Sequence, residues 1–366
     1  MAQAQAPRHL DALTGIRGIA AWGVVLYHIR LSLVMICPPW LIAILGRGYL
    51  AVDLFFMLSG FVIWYNYAER IAAGGWAAAR LFLWRRFTRV WPLHGAILLA
   101  FIGLVAVLAA TGRDTAGYPL AELPLHVLLL QNWGFTPRLS WNHPAWSIST
   151  EMAAYLVFPA LVVAMQWARV PTLALLALAG AVAVALHAGF AARGYDGLGG
   201  DITHLGLWRC LAGFVLGCLM CQLWQRWRAY RIAWLIAATA CAAILGLAAM
   251  LSLAETAFVP AAFFAGLLAL ALAHGPLSRV LGGGALHYLG EISYSTYLVH
   301  FLLFILFKLA FVDRSLQIGW FGLAAYLAMV LTASVVLYHG LEKPAQRWLN
   351  ANPPRWRRPI QRPLAD

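Results

Sequence analysis

Charge is what this chain of 366 residues has least of: only 11% of its side chains are Asp, Glu, Lys or Arg, where soluble domains carry about 25%. A disordered chain stays solvated by low hydrophobicity and high charge, so that class is excluded. Cysteine is scarce as well, and five in 366 residues cannot staple a disulfide-rich secreted domain. Acidic residues number 13 against 26 basic ones, and lysine is nearly absent, with Lys308 and Lys343 alone among arginines. A net charge of +13 suits nucleic acid only when total charge is high, so no nucleic-acid partner is expected. What fills the chain is apolar: 63% hydrophobic residues, with 17 Trp, 18 Phe and 13 Tyr. The chain reads as an all-α integral membrane protein.

A helix of about 20 mostly apolar residues crosses a bilayer. On that measure about ten transmembrane helices are expected, near 13–36, 48–67, 91–111, 144–167, 171–190, 204–225, 230–251, 257–274, 287–309 and 319–341. The apolar patch His126–Leu130 is too short to span and reads as re-entrant or interfacial. The first apolar segment is long and contains Arg17, so it reads as a retained helix rather than a signal peptide. With the N-terminus inside, 17 Lys and Arg fall on the inner side and seven on the outer. The positive-inside rule then predicts both termini to be cytoplasmic. Residues 1–349 read as one transmembrane domain and 350–366 as a basic, Pro- and Arg-rich cytoplasmic tail able to touch anionic membrane lipids. No internal repeat is evident.

Ionisable residues inside such helices are costly and point to function. Arg17 and His28 are 11 residues apart, which on a helix is about 16 Å of rise but only about 20° of rotation. Both therefore face one cleft, although an interfacial Arg and a packed His would give the same spacing. Asp53 needs a cationic partner, for which Arg17 and Arg209 are available; structural pairing explains it as well as chemistry does. Arg80, Arg85, Arg86 and Arg89 put a cationic face on a helix whose Trp84, Phe87 and Trp91 would dip into the interface. That is either an amphipathic helix on lipid or a phosphate-binding surface, since guanidinium forks match phosphate oxygens.

The longest outer connection, about 112–143, ends in aromatic and amide residues: Gln131, Asn132, Trp133, Trp141, Asn142 and His143. Trp faces and amides suit a sugar, although an interfacial belt also places Trp here. Past Pro144, Trp146 opens the next span, in which Ser147, Glu151 and Tyr155 recur at i, i+4 and i+8 and suggest a lined cavity. The hydroxyl run Ser293–Thr296 leading to His300 reads as mostly structural. Cys218 and Cys221, beside Gly213 and Gly217, read as close packing, and no metal site is expected.

Taken together, Arg17-x10-His28, Val52-Asp53-Leu54-Phe55-Phe56 with Ser59-Gly60-Phe61, Arg86-x-x-Arg89, Trp146-Ser147-Ile148-Ser149-Thr150-Glu151 and Ile292-Ser293-Tyr294-Ser295-Thr296-Tyr297-Leu298-x-His300 resemble the acyltransferase-3 family. These are bacterial membrane acyltransferases that modify surface glycans and other extracytoplasmic acceptors. The motifs stand in family order from about residue 10 to residue 345. The resemblance implies a ten-helix domain in the bacterial inner (cytoplasmic) membrane, cytoplasmic acyl-CoA as donor, most commonly acetyl-CoA, and an outer acceptor hydroxyl on a glycan or lipid-linked glycan. It also implies that Arg17, His28, Arg86, Arg89 and Glu151 are functional. The chain resembles the single-domain members, without a fused esterase-like domain.

On this reading Arg17, Arg85, Arg86 and Arg89 bind the donor, and His28 takes the acceptor proton or briefly carries the acyl group. Glu151 or Asp53 orients His28 or balances Arg17, while Trp133, Trp141, Asn142 and Trp146 meet the acceptor. A proton-coupled transporter of a small solute would also bury Arg, Asp, Glu and His, but it often shows repeated halves. A membrane scaffold would leave the alignment of Arg17 and His28 unexplained.

Overall fold

The structure is a computed structural model that describes residues 10–312 and 317–354. The helices, in chain order, are α1 (Asp11–Ile29), α2 (Pro39–Leu45), α3 (Ala51–Ala110), α4 (Leu123–Leu128), α5 (Ala145–Val163), α6 (Thr172–Ala191) and α7 (Ile202–Trp227). They continue as α8 (Ala233–Leu251), α9 (Glu255–Leu272), α10 (Pro276–Leu281), α11 (Gly284–Glu291), α12 (Ser293–Phe311), α13 (Trp320–Leu337) and α14 (Lys343–Ala351), with a π-helical turn Tyr338–Glu342 before the last. No strand occurs among the described residues. In hydrocarbon every backbone group must find its partner within the segment, which is why apolar runs of this length settle as helices. Among the described residues nine helical stretches are long and apolar enough to cross a membrane. The protein is an all-α membrane protein.

One of those nine, α3, is bent. Arg86 donates to the Tyr67 hydroxyl at 3.0 Å, and the Tyr67 and Phe82 rings are 5.1 Å apart. A straight helix would hold Tyr67 and Arg86 about 28 Å apart. The chain doubles back at Gly75, whose φ of 54° and ψ of −140° are open to glycine and strained for other residues. The bend reconciles nine helices with ten expected crossings, because α3 supplies two arms. It also changes the expected basic connection. Residues Arg80–Trp91 do not form a separate helix lying on lipid; they are the start of the returning arm, and Pro92 is carried within it. The expected span 287–309 is likewise divided, with α11 ending at Glu291 and the membrane helix starting at Ser293.

The seam between α3 and α7 is built on small residues. A Cβ added at Gly217 would stand 1.9 Å from the Met57 carbonyl oxygen, and one at Gly60 would stand 2.0 Å from that of Phe214. Only hydrogen fits at either place, so the two backbones touch. Cys218, buried in the same seam, donates its thiol to the Gly60 carbonyl at 3.5 Å, so this cysteine serves packing.

Contacts fix which elements share an end of the bundle. Asp11 lies 3.8 Å from His287, Tyr288 bonds His339 at 3.0 Å, and Trp84 and Thr88 bond Leu349 and Asn350 at 3.2 and 3.1 Å. The start of α1, α11, α14 and the basic part of α3 therefore meet at one end. The loop between α3 and α5 lies at the other, where α4 is a single short helix stopped by Leu129 in the left-handed region (φ 58°). The expected basic tail from residue 355 onward falls outside the described residues.

Gly217→Val should push α3 and α7 apart. Overpacking of this kind costs roughly 1–3 kcal/mol, and the thermal midpoint of detergent-purified protein should fall by several degrees. An unchanged midpoint would show that the two backbones do not touch.

Candidate active site

Four helices, α1, α3, α5 and α12, enclose a cavity of about 160 Å³ whose lining includes Arg17, Arg86, Arg89, Ser147, Glu151 and Tyr155. The stripe Ser147, Glu151 and Tyr155 thus faces one space, as its spacing of four predicts. Tyr294, Tyr297 and Ser293 of α12 complete the wall.

The three guanidinium groups are not equivalent. Arg89 forms a salt bridge with Glu342 of the π-helical turn and lies 5.0 Å from the Tyr294 ring centroid. Glu342, only 3% exposed, also accepts from the Ser295 hydroxyl at 2.5 Å. Among the described residues Arg17 reaches only the Ser293 hydroxyl, at 3.4 Å. Arg86 donates to Tyr67, and its Nε is a buried donor without a hydrogen-bond partner among the described residues. Neither Arg17 nor Arg86 has a carboxylate at salt-bridge distance among the described residues. With Arg89 neutralised by Glu342, the lining retains two cations against Glu151 and therefore favours an anionic or strongly polar ligand. Arg85 does not line the cavity; its carbonyl accepts from Thr88 at 3.2 Å, near the same end.

His28 is outside this cavity, yet it shares a seam with Arg17. Arg17 meets Ser293 and His28 meets His300, with ring centroids 5.1 Å apart; Ser293 and His300 are seven residues apart and therefore on one face of α12. Tyr297 stands between them. It lines the cavity, bonds Ser147 at 2.8 Å, and its ring is 5.9 Å from that of His300. His300 is fully buried, and its Nδ1 faces the Thr296 carbonyl at 3.2 Å. A carbonyl only accepts, so Nδ1 carries the proton and Nε2 is a bare lone pair without a partner among the described residues. Phe301 touches His28 at 5.2 Å and stacks on His143 at 4.9 Å, continuing the line toward the α3–α5 loop.

The remaining expected site residues lie elsewhere. Asp53 is held by Arg209 through two contacts, 2.7 Å from Nε and 2.5 Å from Nη2, and it is not part of the cavity lining. Of its two possible partners the structure pairs it with Arg209, which also donates to the Leu198 and Tyr49 carbonyls. Trp141 is fully buried, in the left-handed region (φ 54°), and donates to the Pro119 carbonyl at 3.1 Å. Trp146 is buried too, with the Arg209 guanidinium 5.5 Å from its ring centroid. Neither presents a face to the loop surface: Trp141 belongs to the loop's own core, and Trp146, on α5, packs edge-on against Phe56 of α3. Trp133 is half-buried and donates to the Ser149 carbonyl at 3.0 Å. Asn142 is buried and donates to the Leu298 carbonyl at 3.1 Å.

Glu342 and Tyr297 escaped the sequence, whereas His300 is the next candidate base after His28. Glu342 follows the last span in Leu341-Glu342-Lys343-Pro344, and a carboxylate at the end of an apolar helix was the available signal. Tyr297 and His300 belong to the hydroxyl run that reads as structural.

These features define a class: a helical membrane protein whose interior offers cations at one end and paired imidazoles further along the same seam. A family model described as an acyltransferase domain matches residues 10–339, and the chain belongs to that family. The acyltransferase MdmB of Streptomyces mycarofaciens is 28% identical, with 94% of each chain covered. A Staphylococcus aureus (strain COL) protein named as a candidate O-acetyltransferase is 24% identical over 43% of this chain and 25% of its own length. Protein 2 in the picA locus of Rhizobium radiobacter is 31% identical over 42% of this chain and 82% of its own. No solved structure matches. The protein is a membrane O-acyltransferase.

Breaking the Arg89–Glu342 pair tests its role in shaping the cavity. Glu342→Gln should destabilise the purified protein by roughly 3–5 kcal/mol, the usual cost of leaving one partner of a buried pair. Arg89→Gln combined with it should recover part of that loss in a double-mutant cycle. Additive losses would mean that the two residues do not act as a pair.

Proposed function

We propose that this chain moves an acyl group, most simply acetyl, from acyl-CoA supplied on the cytoplasmic side to a hydroxyl of an extracytoplasmic glycan such as an exopolysaccharide or lipopolysaccharide repeat. The membrane is the bacterial inner membrane, with both termini cytoplasmic. The single observation that carries the reading is the pairing of a cation-lined cavity with the His28–His300 pair on one α1–α12 seam.

The residues present fit an acyl-CoA donor. Among the described residues Arg17 and Arg86 have no carboxylate at salt-bridge distance, and the Nε of Arg86 is a buried donor without a partner. A cavity of about 160 Å³ is too small for a whole coenzyme A, so it suits the thioester arm. Arg85 and Arg86 would meet phosphate oxygens toward the cytoplasmic end, and Arg17 an oxygen of the arm. The donor supplies an activated acyl thioester. In the transfer, the acceptor oxygen forms a bond to the acyl carbon, the carbon–sulfur bond breaks, and the thiolate leaves. His28 removes the hydroxyl proton. His300, with its Nδ1 proton fixed, stands beside His28 to orient it or to receive that proton. Glu151 balances Arg17 across the cavity, and Asp53 serves the fold through Arg209.

The reading is tested with purified protein in lipid nanodiscs, following free CoA in the presence of acetyl-CoA and a glycan preparation. His28→Gln should bind acetyl-CoA as the wild type does yet release CoA about 10²-fold more slowly, the scale of a lost general base. Near wild-type turnover would remove His28 from the chemistry.

Arg86→Ala should instead weaken acetyl-CoA binding tenfold or more, since a charge-assisted contact is worth roughly 1.5–3 kcal/mol. Isothermal titration provides the check, and unchanged affinity in a folded variant would remove Arg86 from the donor site. In cells, deleting the chain should remove an acyl mass increment from surface glycans.

A further inference from the structure

We propose that a notch lined by His126, Gln131 and Asn142 anchors the acyl acceptor by taking a hydrogen bond from one of its hydroxyl groups. The proposal rests on the transferase reading above and adds the acceptor's point of attachment. The notch holds about 10 Å³ of free space, and its lining also includes Ser140 and His143. That is room for one group the size of a water or a hydroxyl.

Hydrogen-bond accounting shows what the notch lacks. Ser140 donates its single hydrogen to Glu122 at 2.6 Å. The 2.9 Å contact between His126 Nε2 and the Ser140 oxygen is therefore donated by the imidazole, and Nδ1 is left as a bare lone pair. Gln131 donates through Nε2 to the Ala145 carbonyl at 3.2 Å, and Asn142 through Nδ2 to the Leu298 carbonyl at 3.1 Å. Both partners are carbonyls, which fixes the two amide orientations and leaves Gln131 Oε1 and Asn142 Oδ1 as acceptors. None of the three free atoms receives a hydrogen bond among the described residues, and their residues are only 2%, 5% and 3% exposed. Burial pushes the His126 imidazole down to about 4, with His94 and His143 adding to the effect, so Nδ1 is unprotonated at neutral pH.

Three residues of the notch lining each carry a buried acceptor with no donor among the described residues, which calls for a ligand that donates. Hydroxyl groups and ammonium groups both do. Arg138 also lines the notch and the Glu122 carboxylate bonds Ser140 at 2.6 Å, so opposite charges offset each other there and a neutral donor fits best, the hydroxyl of a polyol or sugar. The notch is also close to the imidazole pair. His143 lines it and stacks on Phe301, whose ring meets His28 at 5.2 Å.

The test uses full-length protein in nanodiscs and saturation-transfer-difference NMR with two probes, methyl α-glucopyranoside and its fully O-methylated form, which keeps acceptors and loses every hydroxyl donor. The free glucoside should give at least a fivefold stronger signal, and Gln131→Met should reduce that signal fivefold or more while acetyl-CoA affinity stays unchanged. His126→Phe, which keeps the ring and loses the Nδ1 lone pair, should do the same and carries the test if the first variant does not fold. Equal signals from the two probes, a glucoside signal that survives in a folded variant, or a bound water as the only occupant would each overturn the notch. Loss of acetyl-CoA binding in the wild type would instead count against the transferase reading, so the two failures are distinguishable.

Discussion

A guanidinium group carried into an apolar bundle keeps its charge, and the fold has to answer for it. Arg209 is answered completely: Asp53 takes two of its nitrogens, and the Leu198 and Tyr49 carbonyls take its remaining contacts. That pair locks α7 to α3 beside the seam where Gly60 and Gly217 allow the backbones to touch. Arg89 is answered by Glu342, which ties the returning arm of α3 to the π-helical turn after α13. Removing one member of such a pair would strand a charge, so these arginines act as fixed joints. Arg17 and Arg86, by contrast, hydrogen-bond only to hydroxyls among the described residues. Close ion pairing at two arginines and its absence at two others, among the described residues, leaves the cavity lined by two guanidinium groups against Glu151.

The seam between α1 and α12 then gives the interior a direction. Arg17 and Ser293 mark the cationic end, Tyr297 stands at the far wall of the cavity, and His28 and His300 follow. Beyond them Phe301 and His143 lead to the compact α3–α5 loop. Cationic side chains and imidazoles are therefore separated along a single axis. An acyl transfer between substrates approaching from opposite faces calls for such an arrangement, with the proton-handling groups placed between them.

Local periodicity made much of this legible in the sequence. The 11-residue spacing of Arg17 and His28 put them on one face, and both do meet α12. The i, i+4, i+8 stripe of Ser147, Glu151 and Tyr155 lines the cavity it suggested. What escaped was non-local. Glu342 lies 253 residues from Arg89, and no spacing rule connects residues so far apart. The doubling of α3 depends on one left-handed glycine inside an otherwise continuous helical pattern. Trp141 reads as a surface aromatic from its composition, but it belongs to a loop that closes on itself through Trp141 and Gly117. His300 was visible, but the bare lone pair at its Nε2 follows from where the Thr296 carbonyl lies.

The central claim is that donor and acceptor meet the protein from opposite faces, with the imidazole pair between. Proteoliposomes holding the protein in one orientation, given labelled acetyl-CoA on the face that carries the Arg80–Arg89 stretch, test it most directly. The account predicts free CoA on that face and the labelled acyl ester on the other. Ester formed only when both substrates share one face would contradict it.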